Sequence, residues 1–513
     1  MADAESTRRK GLFWKVPLGG FCALLAVLSV LLWFSARWYL RRYGDIGFDS
    51  ILFTLRFHVA VAEKGQLWSF FRKVVLRSAA FSAPFMFFLF GGFRGRRLRI
   101  GRRTLWPFGP WSRLLVTLAV CLPLLHSAAD RFGAVSWFRD RSRRTTLYED
   151  ECADAASVRI SFPERKRNLV CLYIESCETT FFSREQGGAL PACGMPELFA
   201  LTQEGTSFSP RDAVGGWTHV QGADWTAAAM VALTTGLPLS MPVQVNSYDA
   251  YDRFLPGARA LGDVLHEAGY RQALIIGSDQ SFGGRGKLYL QHGTDEVLDY
   301  GTAIRKRVIP PDYRVWWGLE DRKLYPWAKK EIRRIADEGK PFAVTVLTAD
   351  THAPDGFVCP LCPTNSPYRY ANVFSCASRQ AGDFVNWLRQ QDFYENTTVF
   401  VCGDHISMAP GLFSEQLPGC PKTSRFVYNC ILNAVPTVPE ERTKHRLFTP
   451  MDFYPTVLAA IGCSIEGDRL GLGTDLFSGR PTLLEKMGLK QLNRELRRQS
   501  DYYFERFVLG RPR

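Results

Sequence analysis

The stretch NLVCLYIESCETTFF, residues 168–182, decides the fold. Leu169 to Tyr173 are almost all apolar or β-branched, Ile174 extends the run, and the pattern predicts a buried strand. Glu175 follows at once. A carboxylate in that place stands at the carboxyl end of a strand, where open α/β sheets collect their ligands.

The same pattern recurs downstream. QALIIGS (272–278), FAVTVLTA (342–349) and TTVFVCG (397–403) read as further strands. GARALGDVLHEAGY (257–270), YPWAKKEIRRIADEG (325–339) and QAGDFVNWLRQQ (380–391) carry apolar residues at helical spacing between them. Alternating strands and helices predict an α/β fold, a mostly parallel sheet flanked by helices on both faces. Polar groups sit just past the strands: Glu175 after the first, Asp350-Thr351-His352 after FAVTVLTA, Asp404-His405 after TTVFVCG. Alone, each has an ordinary reading as a cap, a turn or a surface loop residue. Together they meet at one sheet edge, and two carboxylates with an imidazole suit a divalent cation of the Mn2+ or Mg2+ type.

A nucleophile is needed beside them. In GGWTHVQGADWTAAAMVALTTGLPL (215–239), Thr226 opens a run of small residues that reads as a helix start. A Thr there serves either as an N-cap or, because helix N-termini stabilise anions, as a hydroxyl attacking phosphorus. Thr218, in a similar GGWT, is the second choice.

The net charge of +14 does not signal nucleic acid. Residues 1–113 hold 19 Lys/Arg against 5 Asp/Glu, which accounts for the whole excess and leaves the remainder neutral. That basic segment reads as membrane: 17–36 is uncharged and long enough to span, 74–93 is a second candidate with only Arg77, and 114–129 is a shorter third containing a Pro. Basic runs at 8–10 and 94–103 would face the cytoplasm in a three-span arrangement. Residues 43–62 read as an interfacial element. A cleaved signal peptide is the competing reading of 1–36. The expected organisation is a transmembrane region over 1–130, a linker over 131–165, a catalytic domain over 166–490 and a basic helical tail over 491–513, either solvated or resting on lipid head groups. For Cys359-Pro-Leu-Cys362, zinc and redox chemistry are alternatives, but a structural disulfide among Cys359, Cys362 and Cys376 is preferred for an oxidising compartment.

From Asn168 to Glu485, six motifs stand in one order: NLVCLYIESCETTFF, WTAAAMVALTTGLPL, GSDQSFGGRGKLYLQHG, TADTHAPDGF, YENTTVFVCGDH and MDFYPTVLAAIG with RLGLGTDLFSGRPTL. This series resembles the membrane-bound phosphoglycerol transferases, relatives of lipoteichoic acid synthase in the sulfatase and alkaline-phosphatase-like superfamily. The resemblance is nearest to the branch acting on periplasmic glucans. It implies Mn2+ held by Glu175, Thr226, Asp404 and His405, with Thr226 also the nucleophile and His352 near the substrate phosphate. Arg285, and with it Lys287 and Asp279, would face the lipid head group. The implied donor is phosphatidylglycerol, the acceptor a glucan or other glycan, and the location a bacterial inner membrane, multi-pass, with the catalytic domain in the periplasm. The lipoteichoic branch carries a further histidine and a tryptophan around GSDQSFGGR, and neither stands at the matching places here. A phosphoethanolamine transferase or a sulfatase on the same fold, and an inactive relative, are the rival readings. Against the sulfatases, no C/S-x-P-x-R arrangement lies beside Thr226.

Overall fold

The computed structural model describes residues 2–43, 48, 68–90, 98–100, 103–106, 110–240, 253–409 and 411–511. Two compact units divide at Arg139/Asp140. The first holds three main helices, α1 (Ala2–Tyr43), α2 (Leu76–Leu89) and α3 (Pro110–Arg131). α1 packs against both others, with Phe34 edge-on to Phe81 at 5.3 Å. Among the described residues, two stretches, Leu18–Arg41 and Trp111–Arg131, are long and apolar enough to cross a membrane. The third apolar segment, the short one with a Pro, is therefore continued by flanking residues into a full-length helix. The second candidate, 74–93, contributes the shorter α2, which continues N-terminally into a π-helical turn at Phe71–Val75. Outward residues such as Phe21, Leu24, Trp111 and Leu115 are exposed and apolar, as a lipid-facing surface requires. Nearly all of the 43–62 element and most of the 94–103 basic run lie outside the described residues.

The second unit is built on a seven-stranded sheet. Its strands are β1 (Asn168–Ile174), β2 (Gly216–Trp217), β3 (Arg271–Ile276), β4 (Glu296–Leu298), β5 (Phe342–Leu347), β6 (Thr397–Gly403) and β7 (Val427–Leu432). They lie in the order β2-β7-β6-β1-β5-β3-β4. β1 runs parallel to β5 and β6, β3 parallel to β4 and β5, and β7 pairs antiparallel with β6 and β2. All seven residues of β1 are buried because it has a core on each face. Leu169, Cys171 and Tyr173 join one core, Val170, Leu172 and Ile174 the other, the two-residue alternation of a strand read off directly. The first core takes in helices α4 (Thr226–Thr235) and α8 (Phe453–Ala460). The second takes in α6 (Asp321–Ala336) and α7 (Arg369–Arg389), while α5 (Arg285–Gln291) lies on the α4 side.

Two expected segment boundaries move. Part of the 131–165 linker belongs to this unit: Leu147, Tyr148 and Ala155 are core residues, and Ile160–Ser161 pairs with Ser464–Ile465. The tail is neither solvated nor a single helix. Its helix α9 (Leu489–Arg497) buries Leu492 and Leu496, and beyond it Tyr503 and Phe507 enter the core, because apolar residues at helical spacing gain more from burial than the basic residues lose. Arg497 and Arg506 pair instead with Asp140 (3.1 Å) and Asp154 (2.9 Å). Cys359 Sγ stands 3.6 Å from Cys376 Sγ and 3.8 Å from Cys362 Sγ, so the expected disulfide partners are neighbours but remain free thiols.

Candidate active site

Register places the acidic pair. Ile174 is level with Gly403 across β1 and β6, so the next residues, Glu175 and Asp404, leave the sheet side by side. Ser176 then turns sharply at φ 54°, a left-handed conformation, and its N–H donates to Asp404 Oδ1 (2.7 Å) while its hydroxyl donates to Glu175 Oε1 (2.7 Å). His405 contributes its own N–H to Asp404 Oδ1 (2.8 Å). Its Nδ1 donates to the Ile406 carbonyl (2.8 Å), which turns Nε2 toward Glu175 Oε1 (3.3 Å) and Asp404 Oδ2 (3.4 Å).

α4 brings the hydroxyl. Thr226 is the first helical residue rather than the N-cap, a place taken by Trp225 in an extended conformation. Its Oγ1 is therefore released from capping and lies 3.2 Å from Glu175 Oε2 and 3.4 Å from His405 Nε2. Thr218 is not the counterpart: it follows β2, its N–H donating to the Phe448 carbonyl (2.8 Å).

Electrostatics mark a cation site. Glu175, Asp404 and His405 offer ligand atoms all within 4.8 Å of one another. Burial, then the Glu175 charge, pushes the Asp404 carboxyl up to about 7. Burial opposes ionisation of Glu175 too, but His405 and then His352 hold it well below the usual carboxylate range. Against burial, Asp404 and Glu175 push the His405 imidazole up to about 10. Such a cluster demands positive charge. Asp404 Oδ2 is buried and accepts no hydrogen bond, which leaves a lone pair for a metal, and a donor set of carboxylates, imidazole and hydroxyl fits a hard or borderline divalent ion.

Arg285 joins from α5. Gly283 and Gly284 both take left-handed φ (63° and 70°), and a Cβ on Gly283 would stand 2.7 Å from Ala227 Cβ, so the turn closes directly on the start of α4. The guanidinium is 4% exposed and donates to Phe282 O (2.9 Å), Asp279 O (2.8 Å) and Ser278 Oγ (3.0 Å). Burial pulls it down to about 10, opposed by the charges of Glu175 and Asp404. His352 is half-buried, its ring 4.7 Å from that of Trp317. Two expected residues stand apart. The Asp279 carboxylate is exposed and spent on the N–H and hydroxyl of Ser281. Lys287 is two positions beyond Arg285 on a helix, where side chains do not share a face.

Other neighbours of this corner escape sequence reasoning. Glu178 is fully buried and paired with Arg425 Nε (2.9 Å), and it also accepts from Ser407 N–H (2.8 Å), tying the loops after β1 and β6 to the entry of β7. His219 has a buried Nδ1 with no hydrogen-bond partner, and burial followed by the His405 and Arg425 charges pulls its imidazole down to about 4. Only the adjacency of His219 to Thr218 hinted at it.

Comparison with known proteins gives the following. A phosphoglycerol transferase I from Shigella flexneri is 31% identical over 328 residues, 62% of this chain and 40% of the relative. A phosphoglycerol transferase I from Escherichia coli K12 is 32% identical over 255 residues, 48% of this chain and 32% of the relative. The matched region thus spans less than half the length of these curated relatives. Among solved structures, a lipoteichoic acid synthase from Listeria monocytogenes is 19% identical with TM-score 0.48, covering 63% of this chain and 79% of that one. An alkaline phosphatase superfamily protein from Vibrio parahaemolyticus is 23% identical with TM-score 0.45, covering 59% and 67%. The sulfatase family model matches residues 167–463, more than half of the sequence and every residue of the corner just described, and the chain belongs to the sulfatase family.

Proposed function

We propose that this protein is a membrane-bound, metal-dependent transferase that moves phosphoglycerol from phosphatidylglycerol to a periplasmic glucan or related glycan through a phosphothreonine on Thr226. The observation that carries the reading is the placement of Thr226 Oγ1 at a helix start, 3.2 Å from Glu175 and 3.4 Å from His405 Nε2. The names of the curated relatives support the transferred group. The two membrane-length helices among the described residues support a lipid donor and a membrane location.

Glu175, Thr226, Asp404 and His405 would hold a Mn2+ or Mg2+ ion, which when bound supplies Lewis acidity to lower the hydroxyl pKa and to offset phosphoryl charge. Thr226 Oγ attacks the phosphodiester phosphorus, the bond to the diacylglycerol oxygen breaks, and diacylglycerol leaves with a proton. The first N–H groups of α4 and the Arg285 guanidinium face the charge that builds on the phosphoryl oxygens. An acceptor hydroxyl then attacks the phosphothreonine phosphorus, His352 at the edge of the site takes its proton, and the Thr226 Oγ–P bond breaks to return the threonine hydroxyl with a proton.

The test is intact-mass and peptide mapping of the full-length protein incubated with Mn2+ and phosphatidylglycerol, beside Thr226→Ala. A glycerophosphate adduct on Thr226 that is lost in the variant is expected. An adduct only from phosphatidylethanolamine would replace the donor, and no adduct with no bound Mn2+ would leave an inactive relative.

A further inference from the structure

Residues 315–318, Val-Trp-Trp-Gly, close a two-residue turn at the rim of this site. Val315 N–H donates to Gly318 O (2.8 Å) and Gly318 N–H returns to Val315 O (2.9 Å). Its corner residue Trp316 sits at φ 56°, where tight turns ordinarily place Asn or Gly and where a bulky side chain is strained. The strain is held from two sides. Leu319 N–H donates to Gly277 O (2.9 Å) just past β3, and Trp316 Nε1 donates to Ala349 O (3.0 Å) just past β5. Gly318 is needed for this docking, since a Cβ there would stand 2.2 Å from the Gly277 oxygen.

The turn thus fixes two indoles over the strand ends that carry the site. The Trp317 ring lies 4.7 Å from His352 and 5.9 Å from Phe282, whose own ring carries the Arg285 guanidinium at 5.3 Å. Trp316 continues the shelf toward Phe357 at 6.3 Å. All four aromatic rings belong to half-buried residues, so the shelf is both held and accessible. Its border is charged: Asp279 and Arg314 are exposed, and the Arg314 charge is felt at the Asp279 carboxyl.

Backbone strain maintained by several contacts at a site edge points to a function for the residues it displays. An aromatic face offers negative charge and apolar surface to the slightly positive C–H face of a sugar ring, while ring hydroxyls at the edge need polar partners. A diacyl chain would need a border without exposed charges. Resting on the proposed transferase reading, we infer that the Trp316-Trp317 turn is the binding subsite for a sugar ring of the acceptor, placed so that a hydroxyl of that ring reaches the phosphothreonine beside His352.

The experiment uses the full chain in detergent micelles with Mn2+, phosphatidylglycerol and a linear gluco-oligosaccharide as probe. Wild type, Trp317→Ala and Trp317→Phe are compared, with Trp316→Gly as a variant that takes the same φ without strain. Three quantities are read: adduct formation on Thr226, transfer to the oligosaccharide, and quenching of tryptophan fluorescence by the oligosaccharide without lipid. Expected for Trp317→Ala are unchanged adduct formation, a rise of roughly ten-fold or more in the acceptor half-saturation concentration, and weaker quenching, with partial recovery in Trp317→Phe. Trp316→Gly keeps the backbone angle without strain while removing the indole and its bond to Ala349, and it should show the same acceptor defect. Adduct formation falling in step with transfer would assign the turn to the donor and overturn the inference. Unchanged acceptor kinetics in both variants would overturn it as well. If wild type forms no adduct, the transferase reading fails; quenching by the oligosaccharide that disappears in Trp317→Ala would still support a sugar subsite, and absence of quenching would remove it.

Discussion

Ser176 is the residue on which the acidic corner turns. Its hydroxyl orients one Glu175 oxygen and its N–H holds one Asp404 oxygen, which leaves the opposite oxygens facing Thr226 and the vacancy in Asp404's hydrogen bonding. Removing an outer partner of this kind costs about 10–100-fold in metal affinity, and that loss is expected for Ser176→Ala by calorimetric Mn2+ titration. Ser176→Gly should lose the same affinity yet melt higher than Ser176→Ala, because glycine accepts φ 54° without strain. Equal Mn2+ affinity in wild type and both variants would remove the role assigned to the hydroxyl. At this scale the sequence is legible where chemistry abuts a strand or opens a helix: Glu175, Asp404, His405 and Thr226 each follow from local pattern. Ser176, His219 and Arg425 do not, since a backbone angle, an unpartnered ring nitrogen and a partner 247 residues away leave no local signature.

Elements carry a different charge problem. Asp321, at the start of α6, accepts from the N–H groups of Ala349 (2.8 Å) and Asp350 (3.2 Å), and Asp350 Oδ1 accepts from Asp321 N–H (3.1 Å). This exchange clamps α6 to the end of β5. Burial, then the neighbouring Asp321, pushes the Asp350 carboxyl up to about 9, and burial pushes Asp321 up to about 7. A carboxyl whose folded value exceeds its unfolded value of about 4 binds its proton more tightly when folded, so stability is fullest in acid and falls as pH rises through the folded values. Melting temperature should therefore drop between about pH 4 and pH 9, and Asp350→Asn should flatten that drop; parallel slopes would contradict it. Helix positions were legible and helix starts were not. The helical pattern at 380–391 belongs to α7, which begins at Arg369, because Tyr370, Ala371, Val373 and Phe374 are buried on several sides and show no clean stripe. In α6, Pro326 stands six residues in and forgoes one intrahelical N–H bond, so a start read at the proline misses the true one at Asp321.

For the whole molecule, the two units differ in what holds them. The first is long apolar helices with outward apolar faces; the second is a sheet with a core on each side, and the chain's last residues complete it. Phe507 is 2% exposed and packs on Tyr503 at 5.6 Å, so Phe507→Ala should cost about 3–5 kcal/mol, seen as a lower denaturation midpoint of the catalytic unit. No change in midpoint would mean that the tail is dispensable. Composition made the apolar-helix unit legible, and strand and helix periodicity the α/β class. Composition missed the packed tail because six arginines are interleaved with its apolar residues. The first and last segments of the catalytic unit are also stitched together: Arg497 to Asp140 at 3.1 Å, Thr145 Oγ1 to Glu495 at 2.7 Å, and a backbone bridge between Arg144 and Gln499. Residues 140–145 and 495–499 therefore form one seam of this unit. A break anywhere along that seam should therefore loosen both segments together, while the sheet, both cores and the acidic corner keep their places.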